Sequence, residues 1–297
     1  AAIAVWLRDR DKKVAWAGTA VLLFFTLFTF RQESPLPLGK KFIPIRYEII
    51  EHHKLAAEFV EMLPSDASAA VTSAYTPHTF QRDILYLYPW IPRNAPPVDY
   101  YLLDRYLKSY PMNEIERNDA INNLIADPEV IIEAEADGIF LMRNGGDPLP
   151  AHTINQVADE AILLDRVEIA PADAKGYFIN TLESTIQMQP GQTVRVTLYW
   201  EAIATPPGER TVSVRIADET GWLWAQIDTK PSNGTRPTSW WQPGWKLRDV
   251  YYLTIDPNAT PGTASLDVLL YDSTTQEPIP FTNGTPTLHI ADIQISQ

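Results

Sequence analysis

The chain has 297 residues, with 24 basic and 37 acidic side chains, a formal charge of −13 and no cysteine. That length holds about two domains. The missing cysteines rule out disulfides, thiolate catalysis and cysteine-based metal sites, and the acidic balance argues against nucleic acid as a partner.

Residues 14–30, VAWAGTAVLLFFTLFTF, form an apolar run of 17 residues without charge or proline. A helix of that kind is near the short end of what crosses a bilayer core, so the run is expected to anchor the chain in a lipid bilayer. The preceding Arg8-Asp9-Arg10-Asp11-Lys12-Lys13 carries four basic residues in six, while Arg31, Lys40 and Lys41 follow the run more sparsely. By the positive-inside rule, residues 8–13 are cytoplasmic and the long C-terminal part lies outside the cell membrane. A secretory signal is the competing reading, but its apolar region is usually shorter and followed by small residues, whereas Phe24, Phe25, Phe28 and Phe30 crowd this end. Residues 1–7, AAIAVWL, read as the tail of an earlier membrane helix, so residues 1–41 are taken as the anchor and a longer polytopic protein is expected upstream.

Residues 42–150 read as a small extracytoplasmic α/β domain. Residues 48–63 have helical spacing, with Ile49, Ile50, His53, Ala56, Ala57, Val60 and Leu63 on one face. Residues 67–75 read as a strand, Pro77-His78-Thr79-Phe80 as a turn, and residues 84–88 and 99–104 as two more strands. A helix follows over 113–126, with Ile115, Ala120, Ile121, Leu124 and Ile125 inside. Residues 130–136 and 138–143 then pair around Ala136-Asp137-Gly138. Strands alternating with helices indicate an α/β layer with a partly parallel sheet. His52, His53 and His78 lack the spacing of a metal site, and one of the adjacent pair is expected inside. Asp104 is a ligand candidate, because the C-terminal end of a strand is where such sheets bind ligands. Its plainer role is to cap the turn that follows.

Residues 144–160 contain Asn-Gly-Gly-Asp-Pro-Leu-Pro and read as a linker. Residues 160–297 alternate in strand fashion, as in Val194, Val196, Leu198 and Trp200 against Arg195, Thr197 and Tyr199. Turn signals such as Gln189-Pro190-Gly191 and Pro261-Gly262 separate about eight strands, the pattern of an antiparallel β-sandwich. Trp222, Trp224, Trp240, Trp241 and Trp245 fall within 24 residues. Trp222 and Trp224 share a strand face and are expected in the core. Trp240, Trp241 and Trp245 are candidates for contacting a partner protein or envelope glycan, with burial as the alternative.

The residues Pro64, Asp66, Ala67, Pro77, His78, Arg82, Tyr86, Pro89, Asp99, Tyr100, Leu103 and Asp104 resemble the extracytoplasmic part of the DUF2079 family of predicted polytopic membrane proteins. The resemblance covers about residues 1–145. It implies kinship with membrane glycosyltransferases that use lipid-linked sugars, whose catalytic carboxylate lies in an early external loop. No such loop is in this sequence, so no catalytic residue is carried over. Residues 191–200, Arg236-Pro237-Thr238-Ser239-Trp240, Pro243-Gly244 and residues 269–272 are similar to β-sandwich modules appended to such proteins in filamentous phototrophic bacteria, which implies an accessory role. No phosphate loop, nucleophile elbow, zinc motif or dinucleotide fingerprint is present, and no cofactor is expected. The sequence therefore points to a non-catalytic membrane-anchored protein that docks on a membrane complex or the cell envelope. The alternatives are the C-terminal portion of a lipid-linked-sugar glycosyltransferase and a carbohydrate-binding module.

Overall fold

The computed structural model describes residues 11–44, 48–110 and 112–296. The expected helix tail at residues 1–7 and much of the basic cluster at 8–13 lie outside them. The chain divides into two compact units, Ala1–Lys54 and Leu55–Gln297.

The first unit holds α1 (Lys12–Glu33). Asp11 caps its start, its side chain accepting from the Lys13 amide at 2.8 Å. Arg31 in the last turn donates to the Leu38 carbonyl, and Lys41 pairs with Glu33. None of the helix is buried, and Phe24, Phe25, Leu27 and Phe28 are open.

The second unit begins within α2 (Glu51–Met62). Its buried row is His52, Ala56, Phe59 and Leu63, while His53, Ile49 and Ile50 are exposed. The inner face is therefore rotated by one residue from the expected one, because the bulky Phe59 claims the core. The expected strand at 67–75 shortens to β1 (Ala69–Val71), and the chain then coils through a 3-10 turn (Ser73–Tyr75) into α3 (Thr76–Thr79). Proline near a helix start costs no hydrogen bond, so Pro77 favours this turn over further strand. β2 (Leu85–Leu87) and β3 (Tyr100–Asp104) run parallel to β1 on either side of it.

α4 (Glu114–Ile125) starts with a capping box between Asn113 and Glu116. β4 (Val130–Ala136) and β5 (Ile139–Asn144) form the expected hairpin. Both turn residues, Asp137 and Gly138, take positive φ, as a tight two-residue hairpin demands. The sheet order is β2-β1-β3-β5-β4. Leu102, Ile139 and Leu141 face Phe59 and Leu63, whereas Leu103, Phe140 and Met142 face Ile121 and Ile125 of α4.

The remaining strands form two further sheets. One has the order β12-β9-β7-β6, built from β6 (His152–Ala158), β7 (Ile162–Pro171), β9 (Thr193–Ala202) and β12 (Lys246–Thr254). The other has the order β11-β10-β13-β15-β8, with β8 (Thr185–Met188), β10 (Arg210–Asp218), β11 (Leu223–Thr229), β13 (Gly262–Asp272) and β15 (Thr287–Ile295). A two-residue strand, β14 (Pro278–Ile279), pairs with β13. Val196, Leu198 and Trp200 of one sheet and Val214, Leu266 and Val268 of the other belong to one buried core.

Two expectations are corrected here. The stretch 144–160 is not all linker, since β6 pairs with β7 inside it. The second sheet is not wholly antiparallel, since β8 runs parallel to β15.

The outer face of β9 departs from simple alternation. Arg195, Thr197 and Tyr199 are buried along with the inner row. Arg195 meets Glu135 of β4, and on the neighbouring strand Arg248 of β12 meets the end of α4.

Candidate functional site

The tryptophan candidates sit on the loop between β11 and β12. Thr238 fixes the loop from inside. Its hydroxyl donates to the Gly208 carbonyl at 3.0 Å and accepts from the Arg210 amide at 2.8 Å. Pro243 and Gly244 form the corner of a turn closed by the Trp245 amide on the Gln242 carbonyl at 3.0 Å, and Gly244 takes the positive φ that such a corner needs. The Trp245 carbonyl accepts from the Ala202 amide, tying the loop to the end of β9.

This frame separates the three rings. Trp241 is 3% exposed, packs in the core and donates its indole N–H to the Arg236 carbonyl at 3.0 Å. Trp240 and Trp245 are 59% and 45% exposed. Trp240 borders a shallow 570 Å³ hollow with Thr205, Ser239 and Gln242. Trp245 borders another of 220 Å³ with Asp127, Arg236 and Lys246. Trp241 therefore holds the loop, and Trp240 and Trp245 are free to meet a ligand. Trp222 corrects the expected core position. It precedes β11 in a turn organised by Asp218 and is 64% exposed, while Trp224 packs against the core.

Asp104 lies fully buried at the end of β3. One carboxylate oxygen accepts from the Tyr75 hydroxyl at 2.6 Å, and the other from the amides of Tyr106 and Leu107 at 2.7 and 3.0 Å. Burial, followed by the charge of Asp104, pushes the Tyr75 phenol upward. These bonds give Asp104 a turn-capping geometry and direct the loop from 105 onward.

A polar cluster that the sequence reading did not single out joins the layers. Arg195 donates to Glu135 at 2.8 Å and to Asn180 at 2.8 Å, and the Tyr252 hydroxyl donates to the other Glu135 oxygen at 2.5 Å. Burial alone disfavours the Arg195 charge, but the Glu135 carboxylate outweighs it and holds the guanidinium above its ordinary value. Arg248 donates to the carbonyls of Leu124, Ile125 and Val130, at the C-terminal end of α4 and the start of β4. Next to it, Asp249 accepts from the Ser232 amide at 2.9 Å and the Tyr251 hydroxyl at 2.6 Å. Burial raises the Asp249 carboxyl to about 6, against the pull of these bonds. A 520 Å³ cavity adjoins the cluster, lined in part by Arg105, Asn122, Glu135, Phe140 and Tyr252. The signal in the sequence was slight: an Arg between Val194 and Val196 in β9, and an Arg-Asp pair between Leu247 and Val250 in β12.

No protein-family model and no curated protein matches this sequence. Among solved structures, the chain is similar to the C-terminal domain of wzt, at 9% identity over 48% of this chain and 77% of that one, with a TM-score of 0.33. It is also similar to part of a CaDoc0917–CaCohA2 complex, at 14% identity over 44% of this chain and 99% of that one, with a TM-score of 0.19. Likenesses this distant leave the function to be argued from the chain's own residues.

Proposed function

We propose that this protein is a non-catalytic, membrane-anchored binding protein whose C-terminal part lies on the extracytoplasmic side. The observation that carries this reading is α1, which has 22 residues and buries none of them. At 1.5 Å per residue it is about 33 Å long, enough for a hydrocarbon core of about 30 Å. Burying rings such as Phe24 and Phe28 in lipid removes apolar surface that water would otherwise meet. The partner is a membrane complex or the cell envelope.

The test uses the protein in its native membranes. Retention through an alkaline carbonate wash, together with N-terminal sequencing that finds residues 14–30 still attached, supports the anchor. Release by the wash, or a start beyond residue 33, refutes it. Protease added from outside is expected to digest the part after residue 54, and complete protection would reverse the orientation.

A second reading concerns the partner. Trp240 presents an exposed ring beside the Ser239 hydroxyl and Gln242 amide, and Trp245 one beside Asp127 and Arg236, each a pairing of stacking surface and hydrogen-bonding groups that suits a sugar ring. Binding of envelope glycan that is lost in Trp240→Ala supports this reading. Equal binding by wild type, Trp240→Ala and Trp245→Ala removes it and leaves a protein partner.

A further inference from the structure

Arg117 occupies an unusual position. It lies in the inward row of α4 with Ile121 and Ile125, and is 7% exposed. Its Nε is buried without a hydrogen-bond partner, and no side-chain bond or ion pair to Arg117 occurs among the described residues. A guanidinium stays charged at any ordinary pH, and burying such a charge unpaired is costly. Among the described residues, no side chain pairs with this guanidinium, and its Nε is shut off from water.

The side chain lines a 430 Å³ pocket between the loop after β3 and the first turn of α4. Arg105 and Lys108 line the same pocket, against the single carboxylate of Glu114. The Lys108 ammonium has no partner among the described residues. Arg105 spends one N–H on Asn122 at 2.9 Å, and its guanidinium lies 5.1 Å from the centre of the Phe140 ring. Three cations thus converge in a chain whose net charge is −13. Tyr106 and Tyr110, both exposed, stand at the rim. The helix start does not supply the argument, because Asn113 already satisfies the Glu116 amide.

We infer that this pocket binds a phosphate group. Arg117 and Arg105 offer planar forks that match phosphate oxygens, Lys108 adds a mobile point charge, and the tyrosines flank whatever the phosphate is attached to. The inference is independent of the membrane reading and of the tryptophan loop. The phosphate comes either from a soluble ester or from a lipid headgroup.

The experiment is calorimetric titration of the full chain in a non-ionic detergent. The probes are inorganic phosphate, phenyl phosphate and short-chain phosphatidic acid below its micellar concentration. The expected result is saturable binding that weakens about tenfold or more in Lys108→Ala and in Arg117→Lys, since each loses a charge-assisted contact. Tighter binding of phosphatidic acid assigns the lipid source, and tighter binding of phenyl phosphate the soluble one. A second measurement separates a ligand-binding Arg117 from a structural one. In phosphate-free buffer, Arg117→Leu is expected to melt at or above the wild-type temperature, because the unpaired charge is gone. A lower melting temperature for Arg117→Leu overturns the inference, as does no binding of any probe at millimolar concentration. Equal binding by wild type and the Lys108→Ala and Arg117→Lys variants also overturns it.

Discussion

The ion pair between Glu135 and Arg195 is expected to set the stability of the whole second unit. The groups are 2.8 Å apart, with side chains 4% and 2% exposed. At an effective dielectric of about 20 their attraction is about 6 kcal/mol, much of it offset by the cost of taking both charges out of water. Removing one partner keeps that cost for the other and forfeits the attraction. Glu135→Gln and Arg195→Met are therefore each expected to destabilise by about 3–5 kcal/mol. The double variant is expected to lose at least about 2 kcal/mol less than the two single losses together. Urea unfolding of residues 48–297, followed by fluorescence of the buried Trp200 and Trp241, measures all four corners of the cycle. Because the pair links β4 to β9, wild type is also expected to unfold in one transition. Additivity within about 0.5 kcal/mol would show that the charges are not coupled and would refute the argument.

Asp249 makes stability depend on pH. Its folded value of about 6 lies above the ordinary 3.8, so between these values the folded state holds a proton that the unfolded chain has released. Stability therefore falls as pH rises through that window, by about 3 kcal/mol in all, and is level above it. Asp249→Asn is expected to lose this slope, and parallel curves for variant and wild type between pH 4 and 6 would show the carboxyl is not the cause. Leu23→Arg places a charge mid-way along α1, at a cost of about 3 kcal/mol for insertion. Fractionation should find that variant depleted from membranes, and normal retention would remove the anchor. Trp241→Ala is expected to destabilise by about 3–5 kcal/mol through a core cavity, whereas Trp240→Ala should leave the urea midpoint within about 0.5 kcal/mol. Equal losses would mean the loop is packed differently.

Elements whose local signals agree were legible in the sequence. The helix over α4 carries its own cap at Asn113, and the Asp137-Gly138 turn fixes the register of β4 on β5. The inward rows of β9, β10 and β13 alternate cleanly. What failed depended on partners distant in sequence. β6 is preceded by a run of Gly, Asp and Pro that reads as linker, and it becomes a strand only because β7 is there to pair with it. β8 has four residues and takes its direction from β15, more than 90 residues later. The outer face of β9 carries Arg195, Thr197 and Tyr199, yet all three are buried, Arg195 against Glu135 of β4 and Tyr199 against Glu168 and Arg166 of β7. Period-2 patterning reports a residue's face, not what lies against that face.

The same reasoning locates the proposed phosphate pocket. The helical spacing places Ile115 of α4 inside, and the structure reverses this: Ile115 is exposed, and Arg117, which the sequence does not single out, is buried. Helix propensity does not force this exchange, since the two residues differ little in it. Nor does packing favour it, because a buried isoleucine is worth more to a core than an unpaired guanidinium. A local choice that opposes the fold's own interest is expected where function sets the residue. Asp104 gives the exchange its setting. By binding the amides of Tyr106 and Leu107, it turns the chain sharply after β3 and fixes the start of the segment that carries Arg105 and Lys108 to the pocket. Asp104, weighed from the sequence as a ligand candidate or a turn cap, thus has the geometry of the cap.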